Sequence, residues 1–253
     1  MTSILVGRSG TTPDEFPTAQ GIGVVAPYDF GLDREIWRWT PDEVSLYVTR
    51  TPRLLAPVTI EMAERVSETS MVADATSNVL TVEPGVVAYL CTSGSFVRGL
   101  RGEHELRTAI RNAGAGEAIT TSGALLSALD HLGISRVSIA TPYVENVTER
   151  LADFLAEAGV TVVGSAHLGL LDRIWRVPYR DVSELISVAD TSKAEAIFVS
   201  CTNLSTFDVI ASLEEHLGKP VLTANQVTLW AALRELGATS PVTDQLLFAP
   251  GAG

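Results

Sequence analysis

The sequence is poor in the residues that carry most covalent and metal chemistry. Across 253 residues it has two cysteines, Cys91 and Cys201, two lysines, Lys193 and Lys219, and four histidines. Two cysteines build no disulfide framework, and in a reducing compartment both read as free thiols. Lys193 and Lys219 fall in polar turns before strands, so neither suits the Schiff-base lysine of a pyridoxal-phosphate enzyme. His104, His131, His167 and His216 are scattered, without a close His, Cys or carboxylate partner, so no metal site is expected. The glycine-rich stretches match neither the dinucleotide fingerprint nor the phosphate loop, and Gly-x-Ser-x-Gly is absent. These absences predict chemistry without a cofactor.

Long apolar runs are missing too. None approaches the roughly 18 residues that a membrane-spanning helix needs, and the start lacks the charged-then-apolar order of a secretory signal. A cytoplasmic location is therefore expected. No basic run of five or more occurs, and 30 acidic against 18 basic residues give a formal charge of −12. That balance predicts no nucleic-acid partner and no membrane partner. It leaves a small anionic substrate possible, because a closed site makes its own local field.

What remains is an ordinary α/β composition, 46% hydrophobic and 19% charged. Residues 1–20, with Gly7, Gly10, Pro13 and Pro17, read as a mobile arm. Short apolar runs at 21–26, 44–48, 86–90 and 118–121 read as strands, separated by helical stretches that close at 131 before Gly133. The pattern then restarts, with strands at 136–141, 160–163, 196–200 and 221–223. Pro27-Tyr28 returns as Pro142-Tyr143 at an offset of 115 (142 − 27), and Cys91-Thr92 as Cys201-Thr202 at an offset of 110 (201 − 91).

Four strands and their helices thus occur twice in one order. The reading is an α/β protein of two pseudo-symmetric Rossmann-like halves, each a roughly four-stranded parallel sheet flanked by helices. The first half spans 21–133 and the second 134–253, the C-terminal segment being free to cross back. Parallel βαβ units put all strand carboxyl ends on one edge, where ligands bind. Halves facing each other would bring Cys91 and Cys201 together across one cleft, each just before a helix amino terminus.

A thiol beside a helix amino terminus has its thiolate favoured by free N–H groups and the helix dipole. Two such thiols on opposite faces of a bound carbon can remove and deliver protons, or one can add to the carbon while the other protonates its neighbour. The turn amides, with Thr92, Ser93, Ser95, Thr202, Asn203 and Ser205, suit a substrate carboxylate. The bland alternatives are buried packing cysteines and helix-capping hydroxyls. Two cysteines at equivalent ends of a duplicated unit favour the functional pair.

At these residues the chain resembles the aspartate/glutamate racemase superfamily, in its branch of maleate cis-trans isomerases and arylmalonate decarboxylases. The resemblance covers about residues 21–248. It is carried by Cys91-Thr92-Ser93-Gly94-Ser95, Ala140-Thr141-Pro142-Tyr143, Ser200-Cys201-Thr202-Asn203-Leu204 and Pro220-Val221-Leu222-Thr223 with Trp230. It implies a site between the halves, no cofactor, and an enol- or enediolate-like intermediate. Thr92, Ser93 and Tyr143 would bind a substrate carboxylate, with Thr202, Asn203 and the loop Pro27-Tyr28-Asp29 completing the pocket.

Decarboxylases of the branch carry Gly at the first cysteine position, so both thiols here imply an isomerase. In a maleate isomerase, Cys91 would add as thiolate and Cys201 would protonate. An amino-acid or hydantoin-type racemase, an arylmalonate-type decarboxylase and a non-catalytic carboxylate-binding protein are the alternatives. The partner is a small carboxylate or dicarboxylate. Oligomeric state is not readable, a homodimer or higher homo-oligomer being the default. One departure stands out. Isomerases of the branch commonly have Asn in the loop where this chain has Asp29, and an ionised Asp29 facing a dicarboxylate would repel it. Asp29 must therefore point away, cap the next segment, or mark a substrate other than maleate.

Overall fold

The computed structural model describes residues 20–249; the expected arm at 1–20 lies outside them but for the backbone of Gln20. The first half contains β1 (Gln20–Ala26), α1 (Asp33–Ile36), β2 (Val44–Arg50), α2 (Ile60–Val66), α3 (Thr69–Leu80), β3 (Val86–Tyr89), α4 (Thr92–Phe96), α5 (Gly99–Asn112), β4 (Ala118–Thr120) and α6 (Thr121–His131). The second contains β5 (Arg136–Thr141), α7 (Glu145–Glu157), β6 (Thr161–His167), α8 (Tyr179–Ala189), β7 (Ala196–Val199), α9 (Phe207–Leu217), β8 (Val221–Thr223) and α10 (Ala224–Glu235).

The two sheets repeat one topology. Their strand orders are β2-β1-β3-β4 and β6-β5-β7-β8, and every pairing is parallel. Every residue of the inner strands β3 and β7 is buried, as continuous apolar runs between two helix layers must be. The edge strands β2 and β6 are only partly buried. The sequence suggests that β6 stops at Val163, but it continues to His167. Its polar residues Ser165 and His167 are exposed, which an edge strand tolerates and an inner strand would not.

Helix starts follow side-chain capping. Thr59 accepts from Met62 N–H at the start of α2, Thr120 accepts from Gly123 N–H at α6, and Thr223 with Gln226 forms a capping box at α10. At the other end of α9, Gly218 takes φ +66 and returns its N–H to Glu214 O, a conformation in which a side chain would be strained. The helix expected from residue 95 to 112 is broken into α4 and α5.

The equivalent helices α6 and α10 lie against each other, α10 also reaching β3 and β4, so the end of the second half leans on the first. Trp39 is fully buried, and its indole N–H donates to Gln245 Oε1 at 2.8 Å; Gln226 Nε2 donates to the same oxygen. Beyond α10 the chain is thereby tied back to the segment after β1. Among the described residues no helix is long and apolar enough to cross a membrane.

Candidate active site

The carboxyl ends of β1, β3, β5 and β7 meet at a small cavity of about 30 Å³, room for a water molecule or two. Pro27 and Asp29 come from the loop after β1, and Cys91, Thr92 and Ser93 from the junction of β3 and α4. Tyr143 follows β5, and Cys201, Thr202 and Asn203 follow β7. Val58, Met62, Val66 and Ile174 complete the lining. Nine of the ten residues expected at the site line this cavity. Tyr28, the tenth, stands outside the lining, its hydroxyl directed at Ala56 O at 3.5 Å. Ser95 bonds to Thr92 O and Ser122 Oγ, and neither it nor Ser205 reaches the cavity.

The two thiols are set differently. Cys91 is the N-cap of α4, extended at φ −149, 5% exposed, with Gly94 N–H directed at its sulfur. Gly94 has to be glycine, since a side chain there would run into the Tyr89 hydroxyl and come within 3.1 Å of Cys91 Sγ. That hydroxyl lies beside the thiol and donates to Val66 O at 2.8 Å. Tyr89 was not expected at the site, because inside an apolar strand it reads as core.

Cys201 does not precede a helix directly. It takes φ +91, and a turn through residues 202–206 separates it from α9. A non-glycine residue in this region carries strain of about 1–3 kcal/mol and persists only where its surroundings hold it. Those surroundings come largely from the other half. Thr202 Oγ1 donates to Leu90 O at 3.4 Å, while Asn203 accepts from Gly31 N–H at 2.9 Å and donates to Asp29 O at 3.2 Å. Glu35, buried in α1, accepts from Thr206 N–H (3.0 Å), Thr206 Oγ1 and Asn225 Nδ2. Asn225 Nδ2 also donates to Thr202 O at 3.0 Å. Asn203 therefore clamps the β1 loop with its amide oxygen and one of its two amide N–H groups.

The expectation of lowered thiol pKa values is corrected. Burial pushes Cys91 up, with Gly94 N–H, the Tyr89 hydroxyl and Ser93 drawing it back and Asp29 adding to the rise. Cys201 is pushed up to about 12 by burial, against the opposing Asn203 N–H and Tyr143 hydroxyl and together with the charges of Asp29 and Cys91. A single N–H from a five-residue helix or a tight turn cannot outweigh removal of a thiolate from water. Burial also raises the Asp29 carboxyl above its ordinary range, opposed by its own N–H and Asn203. Asp29 lines the cavity, so it does not point away.

Thr92 carries the clearest polar vacancy. It is 1% exposed, lines the cavity, and its hydroxyl has no hydrogen-bond partner. A buried unpaired hydroxyl is costly. Val58 and Ile174 of the lining come from two segments joined by Val58 N–H to Leu171 O at 2.7 Å. A larger concavity of about 650 Å³ lies away from both cysteines, beside α5, α6 and α10, where Arg107 and Arg111 are paired with Glu103 and Glu117.

Duplicated parallel sheets with matched strand ends around one cavity define a class, the two-half α/β enzymes that work at the seam between their halves. The family profile described as arylmalonate decarboxylase matches residues 56–247, and the chain belongs to that family. It is 36% identical over 156 residues to arylmalonate decarboxylase of Bordetella bronchiseptica, a match covering 60% of this chain and 65% of that protein. It is 28% identical over 169 residues to maleate isomerase of Geobacillus stearothermophilus, covering 63% and 66%. The chain thus spans just under two thirds of the length of these relatives. Among solved structures, a liganded double mutant of arylmalonate decarboxylase superposes with a TM-score of 0.83 at 30% identity, covering 90% of this chain and 98% of that one. Proteins of both names are thus similar to this chain.

Proposed function

We propose that this protein is a cofactor-independent isomerase of a small carboxylate that works through Cys91 and Cys201. The observation that carries the reading is that both thiols, from equivalent ends of the two halves, line one cavity beside the unpartnered Thr92 hydroxyl. Thr92, Ser93 and Tyr143 supply hydroxyl groups for the carboxylate, and their bonds strengthen as negative charge moves onto its oxygens.

In proton exchange, one thiolate removes the α-hydrogen, and the C–H electron pair moves into the carboxyl group to give an enediolate. The opposite thiol then delivers its proton to the other face, leaving the first sulfur protonated and the second as thiolate. In cis-trans isomerisation, Cys91 thiolate adds to one alkene carbon and Cys201 protonates the other. The bond between them becomes single and rotates, and reversal of both steps releases the trans acid. High thiol pKa values make the thiolate scarce but a stronger base, which suits the weakly acidic α-hydrogen.

Asp29 favours proton exchange over reaction of a dicarboxylate such as maleate, because a second carboxylate would meet the Asp29 carboxyl group in the same small cavity, with no cation beside it. A second reading, decarboxylation with Cys201 as the sole proton donor, is favoured by the 36% identity to arylmalonate decarboxylase. Proton NMR in deuterated water with maleate, arylmalonates, hydantoins and amino acids separates the three. Isomerisation gives the trans acid, proton exchange gives α-deuteration without other change, and decarboxylation releases carbon dioxide. Carbon dioxide release alone, undiminished in Cys91→Ser, would replace the isomerase reading with the decarboxylase.

A further inference from the structure

The cavity lining offers hydroxyls, two thiols, an apolar wall, one carboxyl group and one amide. Hydroxyls come from Thr92, Ser93 and Tyr143, and the proton-transfer groups are the two thiols. An apolar wall is formed by Met62 and Val66, one turn apart on α2, with Val58 just before that helix and Ile174 opposite in sequence. Asp29 is the single charged residue of the lining, which holds no Arg, Lys or His. The one amide there, Asn203, accepts from Gly31 N–H and gives one of its two N–H groups to the Asp29 backbone oxygen, and it carries no charge that would offset Asp29 against a second carboxylate.

Resting on the two-thiol reading, we infer that the substrate is a chiral carboxylic acid with an apolar side chain and an α-substituent that donates a hydrogen bond to Asp29. An α-ammonium or an α-hydroxyl provides that donor. The carboxylate goes to the hydroxyls, the apolar group to the α2 wall, and the remaining α-hydrogen lies between Cys91 and Cys201, an arrangement that requires the cavity of about 30 Å³ to widen on binding. A dicarboxylate fits none of this, since its second anion would find Asp29 or hydrocarbon and no cation. An ammonium facing Asp29 stays charged there, and its inductive pull acidifies the neighbouring C–H bond.

The test is calorimetric binding to wild-type protein and to Asp29→Asn. The probes are phenylalanine and leucine for the ammonium, mandelate and 2-hydroxy-4-methylpentanoate for the hydroxyl, 2-phenylpropionate as the donor-free control, and maleate and succinate. α-Deuteration of each binder is followed in parallel. Wild type is expected to bind at least one donor-bearing acid about tenfold or more tightly than 2-phenylpropionate or either dicarboxylate. Asp29→Asn is expected to lose that margin and to gain about tenfold on the dicarboxylates. The ammonium and hydroxyl arms identify which donor is used.

Wild type binding maleate or succinate as tightly as the donor-bearing acids, or binding none of those acids, overturns the inference without reference to the variant. An unchanged ranking in Asp29→Asn overturns it as well. Failure of the two-thiol reading has a different signature: the expected binding order with no deuterium incorporated into any binder.

Discussion

Alkylation of Cys201 tests the balance between burial and local hydrogen bonding at the site. With its pKa pushed up to about 12, only about one molecule in ten thousand carries the Cys201 thiolate at pH 8. An ordinary thiol near 8.5 is about a quarter ionised at that pH, so ionisation alone makes Cys201 roughly two thousandfold less reactive. Any restriction of access to the partly exposed Cys201 scales every pH point equally and leaves the slope untouched. Iodoacetamide labelling, read peptide by peptide by mass spectrometry, should therefore rise about tenfold per pH unit from 8.5 to 10.5, where a free cysteine standard has levelled off. In Asp29→Asn the same curve should move to lower pH, since an anion beside a thiolate opposes its formation. A rate that levels off below about pH 8 would refute the claim that burial dominates.

Two further predictions concern buried polar groups. Thr92→Val replaces an unpaired hydroxyl with a methyl group, so the free protein should be as stable as wild type or slightly more so. Substrate affinity should fall about ten- to hundredfold for loss of a bond to a carboxylate; marked destabilisation in urea would mean that the hydroxyl has a structural partner. Glu214 is buried, accepts from Val221 N–H and Leu246 N–H, and burial raises its pKa from 4.5 to about 7. The folded protein then holds a proton that the unfolded chain has released, so stability falls as pH rises between those values. Between pH 5 and pH 8 wild type should lose about 2–3 kcal/mol more than Glu214→Gln. Parallel urea midpoints would show that Glu214 titrates normally.

What could be read from the chain was what repeats locally. Continuous apolar runs at Val86–Tyr89 and Ala196–Val199 mark strands buried on both faces, and the recurrence of Pro-Tyr and Cys-Thr marks equivalent strand ends. Right-handed crossovers then bring those ends to one edge, so most of the lining follows. What could not be read depends on contacts between residues far apart in sequence. The left-handed Cys201 turn is held by Glu35 and Asp29, both over 160 positions earlier, and no local pattern announces such a clamp. The upward direction of the thiol pKa values is hidden for a related reason: capping is visible in sequence, whereas burial depends on how the two halves meet.

The most direct measurement is turnover of Cys91→Ser and Cys201→Ser on whichever substrate the deuterium screen identifies, with circular dichroism to establish that both variants fold. Both thiols face the same cavity, so each variant should lose about a hundredfold or more of the isomerisation or racemisation rate while keeping its native spectrum. Full activity in either folded variant would contradict the two-thiol account.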